Sequence, residues 1–366
     1  MAEPPPGKCW TCGKETTKRC SKCAEGMNQE DVTTPTYYCG KDCQTADFKA
    51  HKAKCRQATA RKQLYRGGDF LQDLFYFFRE EAFDIDIVDV KSQHGKLHTY
   101  EPAWNNEVTF PYFKFPGHLV TNQEDKFALL TMLCCNEPAA YMHKIVKKVF
   151  EDGIDTGYYG HDTFYLPLKT GETYVLDLAG AQYGQYRSVV PYRFYKETYC
   201  DHAPEFRPFG TAAGQRHILD AALKGQCKLF GADELQKGDP RVKLMLDYLS
   251  RLINLTIEDW EVTKATSLAV LFNKRQELYH AESKHVKEGI LSNISAWMGW
   301  WQGGEGPSFR QTTKTHADAS KHTTERTTTE IINHTSPEVF FEKCLSIASQ
   351  KEHKKLQAEE TALAKK

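Results

Sequence analysis

The sequence lacks a long apolar run, and no stretch of it approaches the ~18 apolar residues that a membrane-spanning helix needs. It also lacks an excess of either charge, because 48 Lys and Arg residues balance 48 Asp and Glu residues over 366 positions. A chain-wide basic field for binding phosphates is therefore excluded, although a local basic patch is not. The N-terminus has no charged and then apolar segment of the secretory type. We therefore expect an intracellular protein, cytoplasmic or nuclear, with no membrane partner and with reduced cysteines.

Cysteine is abundant, and it is concentrated at one end of the chain. Seven of the twelve cysteines lie in the first 55 residues. Together with one histidine they form four short-spaced pairs: Cys9 and Cys12, Cys20 and Cys23, Cys39 and Cys43, His51 and Cys55. Eight such ligands predict two closed, four-coordinate Zn²⁺ sites, and the lack of a secretory signal argues against a disulfide framework. A segment this small cannot bury a sufficient core, so bound zinc must contribute the folding free energy.

The second half of this segment resembles a known family. The residues Tyr38-Cys39-Gly40-Lys41-Asp42-Cys43-Gln44, Asp47-Phe48 and His51-Lys52-Ala53-Lys54-Cys55 are similar to a MYND-type zinc finger, and the likeness covers residues 9–55. The resemblance implies a cross-braced module for protein–protein interaction that holds two structural zinc ions. One ion would be bound by Cys9, Cys12, Cys39 and Cys43, and the other by Cys20, Cys23, His51 and Cys55.

The resemblance also implies a class of partner. Fingers of this family that bind proline-rich peptides of the PxLxP type use a serine, a glutamine and a tryptophan, and these positions correspond to Gly40, Gln44 and Phe48. Gly40 has no hydroxyl and Phe48 has no indole N–H, so fewer hydrogen bonds are available here. We expect a partner with a proline-containing linear motif to bind at Gln44 and Phe48. The alternative is that Phe48 packs the small helix against the zinc loops.

Two other features of the finger region are interpreted as solvated. The gap between Cys23 and Cys39 contains mostly polar residues, glycine and proline, and it is typical of an inserted solvent loop. A run of basic residues follows the finger: Lys49, Lys52, Lys54, Arg56, Arg61, Lys62 and Arg66. We favour a solvated helix face over a nucleic-acid site, because this run has neither a recognition-helix motif nor interleaved stacking aromatics.

The remainder of the chain predicts an α+β fold. Apolar residues at helical spacing begin near Gln63, a hairpin is predicted from two strands at 162–168 and 173–178, and the chain after Gly214 is mostly helical. We predict an α+β domain of unassigned family at 60–301, with the tryptophans near Trp297 in its core. A disordered linker is predicted at 302–336, where Thr, Gly, Lys and His replace apolar residues, and a C-terminal helix at 337–363.

A thiol enzyme is the alternative to a pure binding protein. Cys134 or Cys135, then His161, then Asp177 follow the chain order of papain-like and transglutaminase-like enzymes, with Gln182 as a possible oxyanion donor. Neither cysteine clearly begins a helix, and the sequences that flank these residues in those families are missing. We therefore favour buried structural cysteines and a turn-capping Asp177. The sequence predicts a zinc-binding adaptor, and the distance from a cysteine sulfur to His161 separates the two hypotheses.

Overall fold

The computed structural model describes residues 6–102, 112–150, 154–158, 161–201, 205–214, 240–303, 308–317, 323–333, 336 and 338–342. Its α-helices are α1 (Lys41–Glu81), α2 (Gln123–Leu130), α3 (Glu137–Tyr141), α4 (His143–Val149), α5 (Tyr192–Tyr199), α6 (Pro240–Thr263), α7 (Leu268–Asn273), α8 (Gln276–Gln302) and a short segment at 338–342. Its strands are β1 (Gly7–Lys8), β2 (Glu15–Thr16), β3 (Asp89–Gln93), β4 (Lys96–Tyr100), β5 (Ile154–Tyr158), β6 (His161–Pro167), β7 (Thr173–Leu176), β8 (Val189–Pro191), β9 (Glu205–Phe206), β10 (Ser308–Ala317) and β11 (Thr323–Asn333). The α+β class predicted from the sequence is confirmed.

The chain divides into two compact units, each built from three segments. Unit 1 comprises Met1–Tyr76, Thr121–Gly214 and Glu261–Lys287, and unit 2 comprises Phe77–Val120, Gln215–Trp260 and Glu288–Lys366. The finger at 9–55 therefore belongs to a larger unit and is not separate from it. The predicted single domain at 60–301 contributes segments to both units.

A single 41-residue helix, α1, carries the chain from the finger into the apolar core of unit 1. The sequence predicted a finger helix and a later helix, but no proline interrupts the residues between them and the two are one. Along its second half, α1 buries Leu64, Phe70, Leu71 and Phe75 at 1% exposure or less. The predicted helical periodicity of these residues is confirmed.

Two glycines inside α1 allow the helix to approach its neighbours closely. A Cβ atom on Gly67 would lie 2.8 Å from Phe150, and one on Gly68 would lie 2.3 Å from Val189. Because such distances are not tolerated by real side chains, both positions require glycine in spite of its low helix propensity. The sheet of unit 1 is thereby held directly against α1.

The sheet of unit 1 is antiparallel and has the strand order β8-β7-β6-β5-β9. The predicted hairpin is confirmed as β6 and β7, and Gly171 takes a positive φ of 86° in the turn between them. The helix α2 is capped by Asn122, whose side chain accepts a hydrogen bond from the N–H of Asp125 at 2.7 Å.

Unit 2 contains a second hairpin and an aromatic core. Strands β3 and β4 pair through a two-residue turn in which His94 and Gly95 have positive φ. Trp297 is fully buried, and its ring centroid lies 5.5 Å from Tyr248 and 4.8 Å from Phe340. The prediction that the tryptophan cluster forms a core is confirmed. Within the described residues, no helix combines the length and the apolar content that crossing a membrane requires.

The structure differs from the disordered linker predicted at 302–336. Strands β10 and β11 pair antiparallel, from Phe309 opposite Ile331 to Ala317 opposite Thr323. The loss of apolar residues led to the prediction of disorder, but runs of β-branched threonine also have a high strand propensity. Of the helix predicted at 337–363, residues 338–342 are helical, and 337 and 343–363 lie outside the described residues.

The long loop between Cys23 and Cys39 is a docking segment and not the predicted solvent loop. The side-chain amide of Gln29 donates to the Glu172 carboxylate at 2.9 Å. The backbone carbonyl of Gln29 accepts a hydrogen bond from the Tyr65 hydroxyl at 2.6 Å. Arg61 binds the same Glu172 carboxylate at 2.6 Å and the carbonyl of Met27 at 3.2 Å. The loop is thus tied to α1 and to the turn between β6 and β7.

Three of the basic residues predicted to be solvated are instead paired, with Lys62 and Arg66 buried and Arg61 half-buried. Arg61 pairs with Glu172, while Lys62 and Arg66 donate to carbonyl groups at the end of α7 at distances of 3.0 Å. Arg66 also pairs with Glu25 of the finger loop at 3.2 Å. The solvated interpretation was wrong for these three residues, because acidic side chains of the finger loop and the β6–β7 turn complement them.

We expect Glu172→Gln to lower the free energy of unfolding by about 3 kcal/mol, because it removes one member of a largely buried ion pair. The loss should be measured by chemical denaturation at pH 7. A matched control is Glu197→Gln, whose partner Arg193 and whose own side chain are 88% and 62% exposed, and which should leave stability nearly unchanged.

The ion pair of Arg61 and Glu172 also makes the free energy of unfolding depend on pH. Burial alone would raise the pKa of Glu172, but hydrogen bonds from Arg61 and Gln29 lower it below the ordinary value of 4.5. The stabilisation by the ion pair is therefore complete above pH 4.5. It is lost as the pH falls through the lower pKa that Glu172 has in the folded protein. A wild-type advantage over Glu172→Gln that is as large at pH 3 as at pH 7 would contradict this assignment.

Candidate functional site

The first ligand cluster joins the β1–β2 hairpin to the start of α1. Cys9 and Cys12 lie in the hairpin turn, where the N–H of Cys9 donates to the Lys14 carbonyl at 2.8 Å. Cys39 precedes α1 and Cys43 lies in its first turn. The sulfurs of Cys12 and Cys39, and those of Cys39 and Cys43, are 3.5 Å apart. All four sulfurs lie within 4.8 Å of one another.

The second ligand cluster is buried, and two of its four residues lie on the same helix. Cys20, Cys23, His51 and Cys55 bring their ligand atoms within 4.8 Å of one another, and all four residues are buried. The Cys23 sulfur is 3.4 Å from Nε2 of His51. His51 and Cys55 are four residues apart on α1 and therefore face the same side of the helix. The Tyr38 ring packs edge-on against the His51 ring at 5.6 Å.

Both clusters fit tetrahedral zinc. A Zn–S bond of about 2.3 Å places tetrahedral sulfurs about 3.8 Å apart, close to the separations found here. The first and third cysteine pairs share one ion, and the second and fourth pairs share the other, so the two loops are cross-braced. Each ion has four protein ligands and no open position, so the zinc is structural and not catalytic.

This segment matches a family model. Residues 9–55 match the model of the MYND finger. This part of the chain is a MYND finger. The finger binds two zinc ions through the eight predicted ligands and gives the protein a module of protein–protein interaction.

Comparison with whole proteins adds little beyond the MYND finger. Ubiquitin carboxyl-terminal hydrolase 19 from Arabidopsis thaliana is 31% identical over 111 residues, which is 30% of this chain and 15% of that protein. This chain therefore covers much less than two thirds of the relative. No solved structure matches the chain.

The residues predicted to bind a peptide lie at the beginning of α1. Gln44 is half-buried, and its N–H donates to the Gly40 carbonyl at 3.2 Å. Phe48 is 57% exposed. The alternative interpretation, in which Phe48 packs the helix against the zinc loops, requires a buried ring and does not agree with this exposure.

The candidate thiol residues come from three adjacent elements of unit 1. Cys135 lies in the turn before α3, His161 begins β6 and Asp177 follows β7. Since β6 and β7 run antiparallel, the start of one strand lies beside the end of the other. The N–H of Asp162 donates to the Cys135 carbonyl at 3.4 Å, which brings the turn against β6.

Asp177 fixes the imidazole of His161. Nε2 of His161 lies 2.9 Å from each oxygen of the Asp177 carboxylate. The carboxylate also accepts from the Tyr195 hydroxyl at 2.9 Å and from the N–H of Ala179 at 3.1 Å. Its side chain is 2% exposed. The aspartate is therefore held by several donors, and the orientation of the histidine ring follows from it.

The structure decides between the two candidate cysteines. Cys134 is 1% exposed, and its thiol donates to the Thr131 carbonyl at 3.0 Å, as expected of a structural cysteine. Cys135 is half-buried, and its sulfur lies 3.2 Å from the Tyr183 hydroxyl. The Tyr183 ring in turn packs edge-on against the His161 ring with centroids 5.0 Å apart, and the nearby His161 lowers the pKa of the Cys135 thiol.

One nitrogen of His161 is available to the thiol. Nε2 is bound to Asp177, and within the described residues the buried Nδ1 makes no geometrically complete hydrogen bond. Burial alone would lower the pKa of His161, but the Asp177 carboxylate raises it to about 10. A raised imidazole pKa beside a lowered thiol pKa favours a thiolate–imidazolium pair at neutral pH.

The predicted role of Gln182 is not supported by its orientation. Its Nε2 donates to the Ala179 carbonyl at 3.0 Å, so its oxygen, and not its amide N–H, faces the Cys135 sulfur at 3.6 Å. The group beside the sulfur that can donate is the Tyr183 hydroxyl, at 3.2 Å. Burial and the neighbouring Cys135 raise the pKa of Tyr183 to about 12, which keeps this hydroxyl protonated at neutral pH.

Sequence reasoning missed Tyr183, Tyr195 and Gly180. A Cβ atom on Gly180 would lie 2.7 Å from the Asp177 carboxylate, so the close approach requires glycine. The glycine-rich loop after β7 was a visible signal for this approach. Tyr195 reaches Asp177 from α5, eighteen positions away, and no spacing in the sequence indicated that contact.

We expect the purified protein to contain two zinc ions per chain and Cys55→Ser to retain only one of them. The substitution removes one of four ligands from a buried site, and a structural zinc site with three ligands loses most of its affinity. Zinc content should be measured by elemental analysis, together with helix content by circular dichroism. The control variant Cys200→Ser changes a half-buried thiol outside both clusters and should retain both ions. A content of one zinc ion per chain in the wild-type protein would contradict the two-site assignment.

Proposed function

We propose that the MYND finger recruits a partner protein by binding a proline-containing peptide along Gln44 and Phe48. The observation that supports this proposal best is the 57% exposure of Phe48, a large aromatic ring presented on a rigid helix. An exposed apolar ring of this kind offers the flat surface on which a proline-rich peptide packs. The intact zinc clusters fix the helix on which the ring is displayed.

Gln44 supplies the polar part of the proposed surface. It lies four residues before Phe48, so both side chains are on one face of α1. An extended proline-containing peptide presents carbonyl groups that a glutamine amide can bind. The surface lacks the hydroxyl and the indole N–H of related peptide-binding fingers, so we expect specificity for the peptide to rest mainly on apolar packing.

The compartment is part of the same proposal. Thiolate ligands remain available for zinc in a reducing environment, so we propose that the protein acts inside the cell, in the cytoplasm or the nucleus. Hydrolysis of ubiquitin conjugates is not proposed, because the similarity to the Arabidopsis hydrolase covers 15% of that protein.

We expect Phe48→Ala to weaken binding of a PxLxP-type peptide at least about tenfold, since it removes the apolar platform of the proposed surface. Binding should be measured by fluorescence anisotropy with the full-length, zinc-loaded protein. Lys49→Ala is the matched control, because Lys49 is exposed on the next position of the same helix and points away from the proposed face.

Two results would contradict this function. One is the absence of saturable binding to any peptide of a PxLxP panel while zinc content and helix content are normal. The other is equal affinity of the wild-type protein and of Phe48→Ala. Equal zinc content in the two proteins must be established first, so that loss of binding is not a consequence of an unfolded finger.

A further inference from the structure

The cluster around Cys135 contains a nucleophile, a base and a group that orients the base. The Cys135 sulfur lies 3.2 Å from the Tyr183 hydroxyl, and the Tyr183 ring packs against the His161 ring with centroids 5.0 Å apart. His161 is bound to Asp177 at 2.9 Å, and Asp177 is buried among further donors. We propose that Cys135, His161 and Asp177 form a thiol acyl-transfer site that hydrolyses uncharged acyl esters or amides. This activity is independent of peptide binding by the finger.

The location of the three residues supports catalysis more than a structural role. A structural histidine–aspartate pair needs no thiol, and a structural cysteine is buried, as Cys134 is. Cys135 is instead half-buried beside Tyr183, whose side chain is 56% exposed. The sulfur can therefore be reached from solvent, while the base that activates it remains largely buried.

The turn that presents Cys135 has an unusual backbone. Leu133, two residues earlier, has a φ of +59°, in the left-handed region that a non-glycine residue rarely adopts. Its side chain is 83% exposed, so apolar packing does not compensate for this conformation. Backbone strain of this kind is often found where a turn positions a functional residue, and here it lies directly before the nucleophile.

The groups around Cys135 and His161 are mostly uncharged or are already bound to a partner of opposite charge. Among the described residues, Asp177, Asp162 and Tyr183 are the titratable groups that act on Cys135 and His161, and Arg207, Tyr195 and Cys134 act in turn on those three. Asp162 pairs with Arg207 at 3.2 Å, and Asp177 is bound to His161. Within the part of the chain that the structure describes, the side chains hydrogen-bonded to the sulfur are those of Gln182 and Tyr183, and neither is charged at neutral pH. An uncharged acyl group is therefore the substrate class that the site fits.

The first step of the proposed reaction forms an acyl-enzyme. The Cys135 thiolate attacks the carbonyl carbon of the acyl compound and forms a C–S bond, while the C–O or C–N bond to the leaving group breaks. The protonated His161 gives its Nδ1 proton to the departing oxygen or nitrogen. The Tyr183 hydroxyl, 3.2 Å from the sulfur, is placed to donate to the negative carbonyl oxygen as it develops.

The second step restores the site with water as the co-reactant. The now neutral His161 removes a proton from a water molecule, whose oxygen attacks the thioester carbonyl. The C–S bond breaks, the carboxylic acid leaves, and the thiolate and the protonated imidazole are regenerated. Asp177 holds the ring in one orientation throughout both steps, and we assign it as a positioning residue.

Selective alkylation tests whether the thiol is activated. Iodoacetamide should alkylate Cys135 of the full-length, zinc-loaded protein at pH 6 at least about tenfold faster than Cys200, as read by mass spectrometry of the peptides. Cys200 is a half-buried internal control whose pKa is raised by burial. His161→Ala should abolish the difference in alkylation rate between Cys135 and Cys200. Asp177→Asn should raise the pH at which Cys135 is alkylated rapidly.

Acyl transfer is tested with p-nitrophenyl acetate. The wild-type protein should release a burst of about one equivalent of p-nitrophenol per chain and then turn over slowly. Cys135→Ala should lose the burst, and Cys134→Ala, which changes the neighbouring buried thiol, should keep it. Zinc content and circular dichroism of each variant establish that the fold is retained.

Either of two outcomes overturns the proposal. One is alkylation of Cys135 at pH 6 that is no faster than that of Cys200 in the wild-type protein, a result that needs no variant to fold. The other is the absence of a burst, or a burst that persists in Cys135→Ala. Neither outcome bears on peptide binding by the finger, so the two functions can fail separately.

Discussion

Metal coordination along α1 is the interaction on which the amino-terminal part of the protein depends. One helix contributes Cys43 to the first zinc site and His51 and Cys55 to the second, and its later turns bury Phe70 and Leu71 in the core of unit 1. The loops of the finger have almost no apolar interior of their own, and zinc takes its place. Because the helix is continuous, the position of the finger loops is fixed by the same element that organises the core.

This arrangement places the two proposed sites, which differ in chemistry, on one scaffold. The finger presents the exposed ring of Phe48 at the beginning of α1, whereas the Cys135 cluster lies where the β6–β7 hairpin meets the turn before α3. Arg61 on α1 and Glu172 in the hairpin turn connect the finger loop to that hairpin. Recruitment of a partner and modification of an acyl group are therefore compatible functions of unit 1.

Local signals were sufficient for much of the fold and for the metal sites. The paired spacing of seven cysteines and one histidine identified all eight zinc ligands, and the pattern of two short strands identified the β6–β7 hairpin. The sequence did not reveal the docking of the finger loop, because the partners Gln29 and Glu172 are 143 positions apart. It ordered Cys135, His161 and Asp177 correctly along the chain but could not give their distances. The threonine-rich hairpin was mistaken for a linker because composition outweighed strand propensity.

The most direct test of the zinc-built finger is X-ray absorption spectroscopy at the zinc edge of the purified full-length protein. The account predicts seven sulfur ligands and one nitrogen ligand for every two zinc ions, with Zn–S distances of about 2.3 Å. This ratio follows from one site with four cysteines and one with three cysteines and a histidine. A first shell dominated by oxygen or nitrogen would contradict both the ligand assignment and the role of zinc as a substitute for an apolar core.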